Sequence, residues 1–144
     1  MRKYGLPSLF FLVVLAIAIT LACGSPAAPG NTTGLLESVS INPATADAQN
    51  FPMGLVQFTA TGYYSAPPSP VSPLKATWGA CYQGSNTSAV SVSSDGVAQC
   101  AGSATGTYTV WAWAPSGAEV CPAFVGPCGT GGCQVTGTAQ LTCP

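Results

Sequence analysis

Short segments in which apolar and polar residues alternate run through the chain after residue 35, and they constrain its fold most strongly. Alternation with a period of two places successive side chains on opposite faces of a β-strand, and the 3.6-residue period of an amphipathic helix is absent. Glycine, proline, asparagine and aspartate separate the segments, as in the hairpin-type turn Ser94-Asp95-Gly96. The predicted strands are residues 38–41, 55–63, 74–78, 89–92, 97–100, 106–113 and 134–142. The pattern predicts an antiparallel all-β domain of about seven strands.

Seven cysteines add a second constraint. Cys23 stands apart near the N-terminus, and six remain in the predicted domain: Cys81, Cys100, Cys121, Cys128, Cys133 and Cys143. In an oxidising compartment an even set indicates a disulfide framework, and six cysteines allow 15 pairings. A zinc site built from the last four would be the metal alternative, but no CxxC pair and no histidine support it. We therefore expect disulfide bonds and no metal.

Residues 1–22 have the pattern of a signal peptide. Arg2 and Lys3 precede an apolar run from Leu9 to Leu21, which is short for a membrane span. The adjoining Leu21-Ala22-Cys23-Gly24 resembles the lipobox of bacterial lipoproteins, which implies that Cys23 carries the lipid and begins the mature protein. Thr20 departs from that pattern, so an ordinary cleaved signal peptide stays an alternative, and an uncleaved anchor is a third. We expect export and a lipid anchor in the cell envelope, with residues 23–35 as a flexible tether.

Charged residues are scarce in the predicted domain, residues 36–144. After residue 22 a single lysine, Lys75, faces Glu37, Asp47, Asp95 and Glu119, for a net charge of −3. Binding to a nucleic-acid backbone needs several lysines or arginines, so nucleic acid is excluded as a partner.

Catalytic chemistry is also poorly served, because the chain contains no histidine. Histidine-dependent triads and hydrolytic zinc sites are therefore excluded. A carboxylate pair for glycoside cleavage would need two of the four acidic residues. Asp95 is better explained by its turn, and Glu37 by its place before the first strand. Ser72-Pro73-Leu74-Lys75 matches an S-x-x-K motif, whose chemistry requires a helix that the neighbouring prolines deny. No calcium motif of clustered aspartates occurs either. We expect neither an enzyme nor a bound cofactor.

The order of several short motifs resembles the bacterial Ig-like domain, group 2. The matching segments are Val39-Ser40-Ile41-Asn42-Pro43-Ala44, Val56-Gln57-Phe58-Thr59-Ala60-Thr61-Gly62, Ala76-Thr77-Trp78, Val90-Ser91-Val92-Ser93, Asp95-Gly96-Val97-Ala98 and Gly106-Thr107-Tyr108-Thr109-Val110. The resemblance implies an Ig-like antiparallel β-sandwich, with Trp78 as a core tryptophan and Gly106 at the start of the sixth strand. It also implies a spacer or binding module on surface proteins, without catalytic residues.

The chain departs from that family in its cysteines and in a long cysteine-rich loop, residues 115–133. Because neighbouring antiparallel strands alternate in direction, Cys81, Cys100 and Cys143 should lie at one pole and the loop at the other. The loop must then send one cysteine to the opposite pole. Cys81 and Cys100 flank the 89–97 hairpin and are the expected pair. The other pairings stay open.

A binding surface is the remaining functional feature of the sequence. If Tyr108, Val110 and Ala112 point inward, Trp111 and Trp113 face out from one sheet; in the opposite phase they are core residues. We expect an envelope-anchored structural or protein-interaction module, such as an adhesion module, with an unknown protein or glycan partner. The alternative is a lipoprotein that binds a carbohydrate or small ligand between the long loop and the tryptophans.

Overall fold

The computed structural model describes residues 34–118, 127–129 and 131–144, which belong to one compact unit spanning Thr32–Pro144. The predicted signal peptide, Cys23, the tether up to residue 33 and Cys121 lie outside the described residues. Among the described residues there is no α-helix, only strands and three short 3₁₀ turns at Ala48–Asn50, Pro52–Gly54 and Pro127–Gly129. The predicted all-β class is therefore confirmed. The strands are β1 Leu36–Asn42, β2 Thr45–Asp47, β3 Leu55–Gln57, β4 Thr59–Tyr64, β5 Thr77–Tyr82, β6 Ser85–Asn86, β7 Val90–Val92, β8 Val97–Cys100, β9 Gly106–Pro115 and β10 Gln134–Cys143.

Two small antiparallel sheets are joined through one stretch of chain. β1 pairs with β4, β3 pairs with β8, and β8 pairs with β7. Only Phe58 separates β3 from β4, and its backbone N–H donates to the Gly96 carbonyl at 2.9 Å. The neighbours along this part of the molecule therefore run β7, β8, β3 with β4, and β1.

A third sheet has the order β2-β10-β9-β5-β6. β9 and β10 form a ten-residue antiparallel pair from Pro115 opposite Gln134 to Gly106 opposite Cys143. β5 lies antiparallel on the other side of β9, and β2 runs parallel to β10 at the edge. The two longest strands, β9 and β10, are therefore both flanked by other strands, and the short β2 and β6 form the edges.

The core lies between these sheets, and the alternation of the sequence builds it. On β9 the buried residues are Tyr108, Val110, Ala112 and Ala114, one at every second position. The largest fully buried side chains come from different sheets: Phe58, Leu141, Val56 and Val110. Burial of each such side chain contributes about 1.5–3 kcal/mol. Hydrophobic burial is therefore the main stabilising term of this fold.

The structure revises the predicted strand bounds in three ways. The predicted strand 55–63 is interrupted at Phe58, where the chain changes its neighbour from β8 to β1. The predicted strand 74–78 begins instead at Thr77, because the Leu74 N–H donates to the Ala60 carbonyl at 2.8 Å. The sequence analysis does not predict β2 and β6, which have three and two residues. Segments of two or three residues are too short to show a period.

Candidate functional site

The disulfide bonds differ from the expected pairing. Cys81 is bonded to Cys128, and Cys100 is bonded to Cys143, with Cα–Cα distances of 5.7 and 5.9 Å. The predicted Cys81–Cys100 pair is therefore wrong. Cys133 is also disulfide-bonded, and its partner lies outside the described residues.

The direction of the side chains explains the correction. Ala80 on β5 belongs to the core, so its neighbour Cys81 points to the outer face of that sheet. Cys100 lies two residues after the fully buried Ala98 and packs against the core. The two sulfur atoms are consequently on opposite faces of the β5 sheet. Flanking a common hairpin brings the backbones together but does not aim both cysteines to one side.

The structure agrees with the predicted sorting of cysteines between the two poles, although not with the predicted pair. Cys81 is opposite Thr109, near the start of β9, and Cys143 is opposite Gly106 at the same end. The long loop starts and closes at the other end, where the Ser116 N–H donates to the Cys133 carbonyl at 2.7 Å. Through its bond to Cys81, Cys128 brings the loop to the opposite pole. One loop cysteine therefore crosses, as the sequence predicts.

Trp111 and Trp113 lie on the outer face of the sheet, since the residues that alternate with them are buried. Both are half-buried. Trp111 lies between Gly79 and Thr138 of the flanking strands, and Trp113 between Thr77 and Thr136. The inward phase of Tyr108, Val110 and Ala112 is thus the one that the structure adopts.

Trp111 is packed more closely than an open aromatic platform would be. A Cβ atom added to Gly79 would overlap its six-membered ring, so the absence of a side chain at Gly79 makes room for the indole. The indole Nε1 of Trp111 is buried and has no hydrogen-bond partner among the described residues. This pattern indicates that Trp111 serves packing on the outer face. The loop residues 119–126, which the alternative hypothesis places over it, lie outside the described residues.

A partly open cleft of about 490 Å³ lies elsewhere, beside β4 and β5. Two segments follow the same edge of the β3–β4 stretch. The Phe58 N–H donates to Gly96 in one of them, and the Ala60 carbonyl accepts from Leu74 in the other. The gap between these two segments is the cleft. Its lining includes Gln57, Phe58, Ala60, Leu74, Lys75, Trp78 and Asp95.

The turn that carries Asp95 is held firmly. The Gln57 side-chain amide donates to the Asp95 and Phe58 carbonyls, each at 2.8 Å. Gly96 has a φ of +82°, and a Cβ atom there would come within 2.9 Å of the Trp78 ring. Only glycine combines that backbone conformation with so close an approach. Asp95 is thereby set at a fixed place on the cleft rim.

Opposite charges meet at this cleft. Lys75 and Asp95 are both exposed lining residues, and neither forms an ion pair with any part of the chain that the structure describes. Sequence reasoning missed the site because it considered each residue singly, Asp95 for its turn and Lys75 for the S-x-x-K motif. The signal that could have found it is rarity: Lys75 is the sole lysine or arginine after residue 3.

Other candidate chemistry is limited within the described ranges. Ser72 and Lys75 lie outside any helix, and the Ser72 hydroxyl accepts a hydrogen bond from Thr61 at 2.9 Å. No group of three histidine, cysteine or carboxylate residues that could hold a metal occurs among residues 34–118, 127–129 and 131–144. Within the same ranges, no helical segment has the length and apolar character that a membrane-spanning helix needs.

Comparison with known proteins adds no functional assignment: neither a protein-family model nor a curated protein matches this chain. Function is therefore inferred from the residues and their arrangement.

Proposed function

We propose that the chain is an exported, lipid-anchored Ig-like domain that acts as a structural or protein-interaction module of a bacterial envelope, without catalysis. The lipid is carried on Cys23, residues 24–35 form the tether, and the β-domain is the part that contacts partners.

The observation that carries this proposal is the strand order. An Ig-type sandwich has one sheet with the order ABED and another built from C, F and G. With β3 and β4 taken as one strand, β1, β3–β4, β8 and β7 correspond to A, B, E and D, and β5, β9 and β10 to C, F and G. β2, which runs parallel to β10, corresponds to an A strand that switches sheets. This correspondence supports the group 2 resemblance in strand order as well as in motifs.

The chain enters the β-domain at one of its poles. The tether leads into β1, and the Leu36 N–H donates to the Ser116 carbonyl at 2.9 Å. Ser116 follows the end of β9, whereas Cys81, Cys100 and Cys143 lie at the other pole. The chain therefore enters the β-domain at the pole opposite these three cysteines. Disulfide bonds themselves are compatible with an extracellular location.

Mass spectrometry tests the anchor through the remaining cysteines. Two described disulfides use four cysteines, so the partner of Cys133 is Cys121 or Cys23. Lipidation requires the Cys23 thiol, which predicts a Cys121–Cys133 peptide in a non-reducing digest and a diacylglyceryl adduct on Cys23. A Cys23–Cys133 peptide, or a mature N-terminus downstream of Cys23, would refute the anchor.

The matched control is Cys23→Ser. This variant should no longer be found in the envelope membrane fraction. It should keep all domain disulfides, because the domain cysteines are unchanged. Cross-linking in intact cells then tests the interaction role: a discrete protein adduct on the anchored chain that disappears with Cys23→Ser supports it. Catalytic turnover of an envelope substrate by the purified domain would contradict the proposal.

A further inference from the structure

We propose that the cleft between Lys75 and Asp95 binds a small zwitterion, namely a free amino acid or dipeptide whose carboxylate meets Lys75 and whose ammonium meets Asp95. This inference goes beyond the proposed module role, because it assigns a ligand class to a specific site. It does not depend on the lipid anchor, and its test leaves Cys23 unchanged.

The size and lining of the cleft fit a ligand of this kind. Small-molecule sites have volumes of about 300–1,000 Å³ and are mostly apolar with a few polar groups. The cleft has a volume of about 490 Å³, and its accessible apolar wall is made by the half-buried Trp78 and the exposed Pro73, which lie over the buried Phe58, Ala60 and Leu74. An apolar body between two charged ends would contact this wall while its ends reach the rim.

The two opposite charges on the cleft indicate which class of ligand it binds. The described residues contain four charged side chains, and two of them, of opposite sign, line this one cleft. Neither forms an ion pair within the described part of the chain, so their charges are not used to hold the fold. A zwitterion neutralises both at once. Trp78 can add a cation–π contact with the ammonium group.

A neutral sugar fits the same cleft less well. Recognition of sugar hydroxyls needs hydroxyl, amide and backbone groups, which this chain provides throughout its surface as serine, threonine, asparagine and glutamine. Such recognition would leave the opposite charges of Lys75 and Asp95 on this cleft without a role. The charge pattern therefore favours the zwitterion.

The site is also ordered before binding. Turn residue Ser93 accepts hydrogen bonds from Gly96 on its carbonyl and from Val97 on its side chain, both at 3.0 Å. Together with the Gln57 amide, these bonds fix the Asp95 side of the cleft. The Leu74 N–H fixes the Lys75 side through the Ala60 carbonyl. A preorganised site loses less conformational entropy on binding, which allows a small ligand to bind measurably.

Three peptides that differ by one charge each test the proposal on the full-length exported protein. The probes are the dipeptide Ala-Phe, its N-acetyl form without the cation, and its C-terminal amide without the anion. Binding is followed by NMR on the indole N–H of Trp78, with Trp111 and Trp113 as internal references. We expect Ala-Phe to bind at millimolar concentration and each neutralised form to bind about two- to fivefold more weakly, as for exposed ion pairs. The preference should shrink at high salt.

Charge-removing variants assign each end. Lys75→Gln should abolish the preference for Ala-Phe over its amide, and Asp95→Asn the preference over the N-acetyl form. Glu37→Gln removes an exposed carboxylate away from the cleft and should change neither. Equal binding of all three peptides, no shift at Trp78, or preferences that survive both variants would overturn the proposal. Stronger binding of N-acetylglucosamine, unaffected by Lys75→Gln, would also overturn it and indicate a sugar site.

Discussion

The two described disulfides close loops of nearly equal length but lie in different surroundings. Cys100–Cys143 and Cys81–Cys128 span sequence separations of 43 and 47 residues. The chain-entropy model gives about 4 kcal/mol for either loop, so it does not distinguish them. Cys143 belongs to the core and Cys100 packs against it. Cys81 and Cys128 are also buried, but they lie outside that core, on the outer face of β5. Any difference in their effect on stability must therefore come from the folded state.

The comparison separates two uses of one covalent bond. Cys100–Cys143 joins β8 to β10, strands of different sheets that their own ladders already hold in place. Loss of this disulfide leaves the folded strands in place and increases the conformational entropy of the unfolded chain only. Cys81–Cys128 joins β5 to the short 3₁₀ turn Pro127–Gly129, which is not part of a sheet. Its loss lets the folded state gain freedom too, which offsets part of the destabilisation.

The largest effect is expected for the double variant Cys100→Ala/Cys143→Ala. We predict a loss of about 4 kcal/mol in the free energy of unfolding, because the unfolded chain gains loop freedom while the folded strands keep their places. Denaturant titration under non-reducing conditions measures it. A loss smaller than that of the other disulfide variant would reverse the comparison.

The double variant Cys81→Ala/Cys128→Ala should lose about 2 kcal/mol, since release of the loop compensates part of the entropy. Fluorescence separates the two cases further. Trp111 and Trp113 share the outer face with Cys81, so their emission should shift to longer wavelength in this folded variant only. Losses of about 4 kcal/mol in both variants would show that chain entropy alone accounts for both bonds.

The all-β class and most of the strands could be predicted from the sequence, because strand periodicity is a local property. The alternation of residues 106–113 predicted that β9 is a strand, although not which of its faces is buried, and the turn at Ser94-Asp95-Gly96 predicted the β7–β8 hairpin. The pairing of cysteines was not readable, because it depends on which face of which sheet each one occupies. If the alternation of β5 were shifted by one residue, Cys81 would point into the core instead of towards Cys128 in the loop.

The candidate site could not be predicted from the sequence either, because it also depends on how distant segments are placed in space. Lys75 and Asp95 are separated by β5, β6 and β7 along the chain. They meet because two distant segments hydrogen-bond to one strand edge, through Gly96 and Leu74. No local pattern encodes that gap. The outward phase of the tryptophans, in contrast, was one of two alternatives, and burial of the alternate residues decided it.

The smallest expected effect tests whether the outer face is itself a packed layer. Gly79→Ala has no backbone penalty, since Gly79 is in an ordinary strand conformation, but the new methyl group displaces the Trp111 ring. We predict a loss of about 1–2 kcal/mol, as for overpacking, measured by denaturant titration. Gly102→Ala is the matched control, because nothing lies within 4 Å of the added atom, and it should be neutral or stabilising by about 0.5 kcal/mol. If Gly79→Ala is as stable as this control, the Trp111 ring moves aside without cost and the outer face is not a packed layer. The Cys81–Cys128 disulfide on that face would then only hold the loop.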